Sequence, residues 1–328
     1  MTTLRTPDPP VAPPASAARG RRRDSPAGRR RKSQPEAFAF LTPWLLGAVA
    51  LTVGPMVVSL YLSFTDYDMF TAPKWVGFGN FTHMFTDDDR YLQSVKVTLI
   101  YVLVSVPLKL TVSLLVAMLL NTRRGANGFY RAAFYAPSLL GASVAAALVW
   151  RALFMGGGPV NEVLAFFGWH TPSWVDDPQF SLASIVLLGV WQFGAPMVIF
   201  LAGLKQIPAE LHEAAAIDGA GAFRRFRHIT LPMLSPVIFF NLVMEAIHAF
   251  QAFTPAFVIG GGRGGPADAD LFYTLYLFEV GFQDFRMGYA SAMAWVLLVV
   301  IAIVTAIVFR TAKLWVFYDD VESTGENK

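Results

Sequence analysis

The sequence predicts an all-α polytopic membrane protein with six transmembrane helices and both termini in the cytoplasm. Three observations carry that prediction. The 328 residues are 55% hydrophobic and only 15% charged, with mean hydropathy +0.47, whereas a soluble domain carries roughly 25% charged residues. Several apolar runs exceed the ~20 residues that a helix needs to cross a bilayer. Lys and Arg are also distributed unevenly among the connecting segments, and this bias sets orientation in a membrane.

Residues 1–36 are rich in Pro, Ala, Ser and Arg and hold no apolar core, so they read as a disordered basic cytoplasmic tail. The arginine clusters at 21–23 and 29–32 suit anionic lipid on the inner face better than nucleic acid. The apolar run that follows is too long for a signal peptide and lacks a small-residue cleavage site. Spans are expected at 37–64, 95–120, 132–154, 182–204, 234–259 and 287–309. Pro43, Pro55, Pro107, Pro137 and Pro196 fall inside them, which a membrane helix tolerates because its neighbours re-satisfy the freed backbone groups.

The tail holds nine Lys and Arg, and the successive connections 65–94, 121–131, 155–181, 205–233 and 260–286 hold two, three, none, four and two. This high–low alternation places the tail, 121–131 and 205–233 inside. Asn80-Phe81-Thr82 on the outer side matches a glycosylation sequon.

The inner segment "ELHEAAAIDGAGAFRRFRHITLP", 210–232, concentrates charge in a chain that otherwise avoids it. Pro208 suits the first turn of a helix and Glu210 suits the positive end of its dipole. Leu211, Ala214, Ala215 and Asp218 recur at helical spacing, and Gly219 and Gly221 provide a left-handed stop. A second basic helix over 222–228 should follow, with Ile229, Leu231 and Pro232 turning the chain back to the membrane. Two readings fit this pattern: a short helix shaped to dock against a partner, or an amphipathic loop lying on headgroups.

Written by spacing, the segment is Glu213-Ala214-Ala215, three residues, Gly219, nine residues, Ile229, one residue, Leu231-Pro232. This resembles the EAA loop of binding-protein-dependent ABC importer permeases at every fixed position. "LSFTDYDMFTAPKWVGFGNF", "FYAPSLLGASVAAALVWRALF", "GPVNEVL" and "IDGAGAF" resemble the carbohydrate-type, larger maltose-permease-like branch, and the likeness covers roughly 37–318. The stretch 260–266 departs from that branch, being longer in Gly and carrying Arg263. The resemblance implies a type I ABC importer permease fold in a bacterial plasma membrane. Its parts would be the tail 1–36, a first helix and extracytoplasmic segment over 37–92, a five-helix transport core over 93–315 with the coupling loop at 205–233, and a cytoplasmic tail 316–328. It further implies that Glu213, Ala214, Ala215, Asp218, Gly219, Ile229, Leu231 and Pro232 engage ATPase subunits. A second permease subunit, an extracytoplasmic solute-binding protein and membrane lipid complete the expected partners. Nucleic acid is not among them.

No G-x-x-x-x-G-K-[ST] loop occurs, so ATP and Mg are expected on the partner ATPase and no cofactor on this chain. Cysteine is absent, and no H-E-x-x-H zinc pair or G-x-S-x-G elbow is present. Glycines 156–158 and 260–265 read as turns. The chain is therefore expected to be a transport subunit and not an enzyme. Ionisable and polar groups inside spans mark function by default. Lys109 lies in the second span, Trp191 and Gln192 in the fourth, Asn241, Glu245, His248 and Gln251 in the fifth, and Trp295 in the last. Asn241, Glu245, His248 and Gln251, with Trp191 or Trp295 as a stacking surface, suit a lining for a sugar. The alternatives are bonds to neighbouring helices, including a structural Lys109–Glu245 pair. Rival functions are a secondary transporter of a small polar solute and a permease for a polyol or glycerol-phosphate-like solute.

Overall fold

The computed structural model describes residues 35–121, 127–141 and 143–317. The expected tail over 1–34, Arg123 and Arg124 of the first inner loop, and residues 318–328 lie outside the described residues. The chain divides into two units, 1–54 and 55–328.

In the first unit, α1 (Pro35–Ala48) passes into a π turn at Val49–Val53, closed by the Gly54 N–H on the Val49 carbonyl. Pro55 follows directly. A proline lacks the N–H for the helical ladder and its ring crowds the carbonyl four residues back, and a widened turn relieves both. Leu41–Ser63 is long and apolar enough to cross a membrane.

The second unit begins within α2 (Gly54–Ser63) and continues through a short antiparallel pair, β1 (Thr65–Asp66) and β2 (Lys74–Trp75), to α3 (Gly79–Thr86). Asn80 Nδ2 donates to the carbonyls of Ser63 and Thr65, both at 2.9 Å. The sequon asparagine is thus a clamp between the end of α2 and the start of α3. Next comes α4 (Asp89–Leu120), which starts earlier than the expected 95 because Asp88 caps it by accepting the Tyr91 N–H at 2.9 Å.

The stretches expected as the third and fourth spans are each a bent pair of helices. The third consists of α5 (Asn127–Leu140) and α6 (Val144–Phe154), and Gly128–Leu140 is bent by 97° from Val144–Phe166. Ser143 caps α6 by accepting the Ala146 N–H. The outer helix α7 (Pro159–Phe166) leads to the fourth span, α8 (Ser181–Trp191) and α9 (Gly194–Gln206), bent by 41°. α10 (Ala209–Ile217) and α11 (Ala222–Arg225) follow. A π turn at Phe226–Thr230 then joins α11 to α12 (Leu231–Phe250) without interruption.

Beyond α12 lie α13 (Thr254–Ile259), a 3-10 turn at Pro266–Asp268, α14 (Tyr273–Phe278), a π turn at Glu279–Gln283 and α15 (Met287–Trp315). The candidate span Ala222–Ile259 ends where the fifth span is expected to, with α12 itself ending at Phe250, and α15 runs past 309. Among the described residues four helices are long and apolar enough to cross a membrane, or six if each bent pair is one span.

α4 is the central rod, packed against α8, α9, α12 and α14. Lipid gives apolar helices no hydrophobic reason to associate, so close approach at small residues carries the packing. An added Cβ at Gly203 would stand 2.8 Å from Leu234, and one at Gly194 would stand 2.5 Å from the Phe134 carbonyl. Met197, Phe200, Leu204 and Leu234 form the buried seam there.

Candidate functional site

The break in the fourth span shapes the site. Interrupting a helix frees backbone groups that have no water to turn to. Here serines from other helices capture them. Ser138 of α5 donates to the Gln192 carbonyl at 2.9 Å and accepts the Ala195 N–H at 3.0 Å. Ser113 of α4 donates to the Phe193 carbonyl at 3.0 Å. The break also lets the Gln192 side chain reach sideways, where Nε2 donates to the Gly141 carbonyl at 3.0 Å. A Cβ at Gly141 would lie 2.1 Å from Gln192 Cδ, so only glycine fits there.

Beside this break lies a cavity of about 460 Å³ between α4, α5, the α8–α9 junction and the outer end of α12. Its polar lining includes Lys109, Glu245, His248, Gln251, Gln192 and Ser105. Tyr101 and Phe253 supply aromatic surface. Lys109 Nζ donates to Glu245 Oε2 at 2.8 Å, with side chains only 16% and 12% exposed. The expected pairing of these two residues therefore exists, and it sits in the cavity wall.

Three of the six residues expected to line a cavity do so: Glu245, His248 and Gln251. The other three do not. Asn241 lies one turn towards the inner side, buried, with its amide nitrogen unpartnered. Trp191 ends α8 before the bend, and its ring packs at 5.9 Å against Trp150 while Gln192 takes the cavity-facing position. Trp295 belongs to α15, which contributes nothing to the lining. Gln192, noted in the sequence only as a polar span residue, joins the lining, and Ser105, Ser138, Tyr101 and Phe253 are contributors that the sequence reading did not name. An amide within a span was a signal for Gln192, whereas nothing marked Ser138.

The inner loop is exposed along most of its length. Glu213, Ala214 and Asp218 are exposed, and Ala215 is half-buried. Pro208 stands one position earlier than expected, as the N-cap of α10. Gly219 adopts φ +78°, with its N–H on the Ala216 carbonyl and the Ala220 N–H on the Ala215 carbonyl. This left-handed, doubly hydrogen-bonded stop needs a glycine. The expected turn at Ile229, Leu231 and Pro232 is corrected by the structure. Ile229 lies in the π turn, Leu231 opens α12 and Pro232 occupies its first turn, so the chain stays helical from Ala222 to Phe250. The π turn widens the ladder where Pro232 withholds its N–H. Leu211, Ile217 and Phe223 stand exposed, the last two at 87% and 76%.

At its N-terminal end a polar clasp joins α4 to the later segments. Arg90 pairs with both Asp268 oxygens at 2.9 Å and with Glu279 at 3.0 Å. Asp88 accepts the Tyr276 and Tyr289 hydroxyls at 2.7 Å. Burial raises the Asp88 pKa, but the Tyr289 and Tyr276 hydroxyls outweigh it and hold the group below the usual range. Asp270 is fully buried, accepts from the Ser181 hydroxyl, and leaves its other oxygen unpartnered. Burial pushes its pKa up to about 6, with Ser181 opposing.

Comparison with known proteins decides the assignment. Residues 84–314 match the model of the binding-protein-dependent transport system inner membrane component family. The chain belongs to this family. It is 51% identical over 293 residues to the probable ABC transporter permease protein YesP of Bacillus subtilis, covering 89% of this chain and 95% of that one. It is 29% identical to the lactose transport system permease protein LacF of Rhizobium radiobacter, covering 84% and 93%. Its fold matches a chain of the crystal structure of a bacterial ABC transporter involved in import of the acidic polysaccharide alginate. The TM-score is 0.74 at 21% identity, over 86% of this chain and 96% of that one. As an ABC permease of the type I importer fold, the chain is an inner-membrane transport component.

Proposed function

We propose that this permease carries a carbohydrate through the cavity beside the α8–α9 break, driven by separate ATPase subunits gripping the loop at 205–233. In this reading six spans cross the inner membrane with both ends in the cytoplasm. The tail 1–36 and the segment 316–328 are cytoplasmic, 37–92 holds the first helix and its outer extension, and 93–315 is the transport core. A second permease subunit and an extracytoplasmic binding protein complete the path. ATP and Mg belong to the ATPase, and this chain binds no cofactor.

The observation that carries the reading is mechanical continuity. The glycine-stopped helix α10 presents Glu213, Ala214, Ala215 and Asp218 outward, and the helical run from Ala222 then leads into α12, which bears Glu245 and His248 in the cavity. Ile229, Leu231 and Pro232 sit at the joint between loop and rod. The lactose relative supports a sugar as cargo, and the lining of amides, hydroxyls and one ion pair suits polyhydroxyl ligands.

The test is gentle affinity purification from the native membrane. An ATPase is expected to accompany the wild-type chain and to be lost with Glu213→Arg or Gly219→Val. Retention of a fully active ATPase by both variants would end the coupling assignment. Loss of uptake at normal membrane levels for Glu245→Gln and His248→Ala supports the cavity, and unchanged uptake in both overturns it.

A further inference from the structure

We infer that the Lys109–Glu245 ion pair is a latch that opens and recloses in each transport cycle, tying movement of the coupling loop to the state of the cavity. The inference rests on the proposed function above and adds the contact through which the cavity responds.

The argument starts from which helices the pair joins. Lys109 belongs to α4, which is bonded into the broken fourth span. The Ser113 hydroxyl, one turn on, lies 2.6 Å from the Lys109 carbonyl and 3.0 Å from the Phe193 carbonyl, sharing its one proton between them. Tyr101, two turns back, lies so close to Gly189 that a Cβ there would stand 2.8 Å from its hydroxyl. α4, α8 and α9 thus form one block. Glu245 belongs to α12, which is helical back to Ala222 at the coupling loop, about 35 Å away at 1.5 Å per residue. Among the described residues the bond to Lys109 is the only ion pair that α12 makes. A push on the loop is therefore delivered along a rod that itself packs against α4 and α9, and Glu245 meets there a lysine carried by α4.

The pair has the properties of a two-state contact. Both groups are largely buried within the spanning region, so a separated charge loses a partner that water cannot readily replace. Intermediate separations are disfavoured, and the contact is either made or exchanged for other partners. Such partners line the same cavity: His248, Gln251, Gln192 and Ser105. A polyhydroxyl solute in that cavity would add more, which lowers the cost of opening when the site is filled.

The test uses the whole complex in nanodiscs with Mg-ATP as the only added ligand, after co-purification of the ATPase has been scored. That first step reports on the proposed function alone. Glu245→Gln and Lys109→Met are each expected to raise basal ATP hydrolysis by about five-fold or more. The exchange Lys109→Glu with Glu245→Lys is expected to return it to the wild-type level. Unchanged hydrolysis in both single variants, or no rescue by the exchange in an intact complex, overturns the latch. If the single variants do not assemble, a second variant decides. The chain has no native cysteine, so Lys109→Cys with Glu245→Cys can be tethered by a bifunctional thiosulfonate. Tethering should suppress hydrolysis and reductant should restore it. Equal rates in the tethered and reduced forms overturn the proposal.

Discussion

The outer and inner ends of this permease satisfy their polar and apolar groups in opposite ways. At the outer end, Arg90 is shared between Asp268 and Glu279, and Asp88 between Tyr276 and Tyr289, so α4 is bonded to segments nearly two hundred residues away in sequence. At the inner end, the described residues from Ala209 to Thr230 hydrogen-bond mainly to one another, as His228 does to the Arg224 carbonyl, while Ile217 and Phe223 stand in the open. The Arg90 end is tied across the chain by these bonds, although Asp270 and Glu279 each keep one buried oxygen unpartnered and Phe70, Phe78, Phe166 and Phe167 stand exposed. The loop at 205–233 instead exposes large apolar groups flanked by charge, the usual makings of an interface, as the proposed coupling role requires. Mutations should therefore separate cleanly: inner ones change association, outer ones change stability.

The largest effect is expected at the inner end. Ile217→Asp combined with Phe223→Asp should weaken ATPase association about a hundredfold, as loss of two interface anchors does. The thermal midpoint of the isolated chain in detergent should not move, and a large drop would show that these side chains hold the fold. Next in size is Arg90→Met, which leaves Asp268 and Glu279 without their cation. Its expected cost is about 2 kcal/mol of stability, read as a lower midpoint with ATPase association unchanged. Gly194→Ala follows at about 1–2 kcal/mol, because the Phe134 carbonyl must give way to the new methyl group.

The smallest effect concerns Asp270 and depends on pH. Its pKa in the fold is about 6 against an ordinary 3.8. The protonated acid's contribution is thus complete below the lower value and is lost as pH rises through the upper one. Arg263 within the turn, Arg151, whose guanidinium donates to the Val258 carbonyl, Asp176 across the adjoining pocket, and Asp268, held by Arg90, are charged groups around this turn. Protection factors over 260–266, taken against the intrinsic exchange rate at each pH, should fall about tenfold between about pH 5 and about pH 7.5, and Asp270→Asn should abolish the fall. An unchanged profile in the variant would assign the pH response elsewhere.

The legible parts of the molecule were those written in local pattern. The EAA spacing, the left-handed stop at Gly219 and the apolar lengths of the spans all arise between residues a few positions apart. The structure bears out the short helix before Gly219 and the glycine turns at Gly157 and at Gly261 to Gly265. The inner joint was misread for a local reason too. Ile229, Leu231 and Pro232 look like a turn, yet one π turn lets the helix run through a proline.

The cavity was half legible. Glu245, His248 and Gln251 stood out as polar groups in an apolar run, but so did Asn241, Trp191 and Trp295, which lie elsewhere. Composition says that a span holds a polar group and periodicity says which face it shares. Neither says where along the rod a neighbouring helix breaks away to leave space.

Sequence by itself determined the membrane class, the family, and the position of the EAA-type loop, because hydropathy and motif spacing are properties of contiguous chain. Only the tertiary structure decided where the fourth span breaks and what wall the cavity has. The break persists because Ser138, 54 residues distant, takes up the freed backbone groups. The charged pair in the wall exists because the fold sets Lys109 against Glu245, 136 residues apart. Inside a bilayer such groups must find each other or stay unsatisfied, and only the packed arrangement of helices settles which partner each one meets.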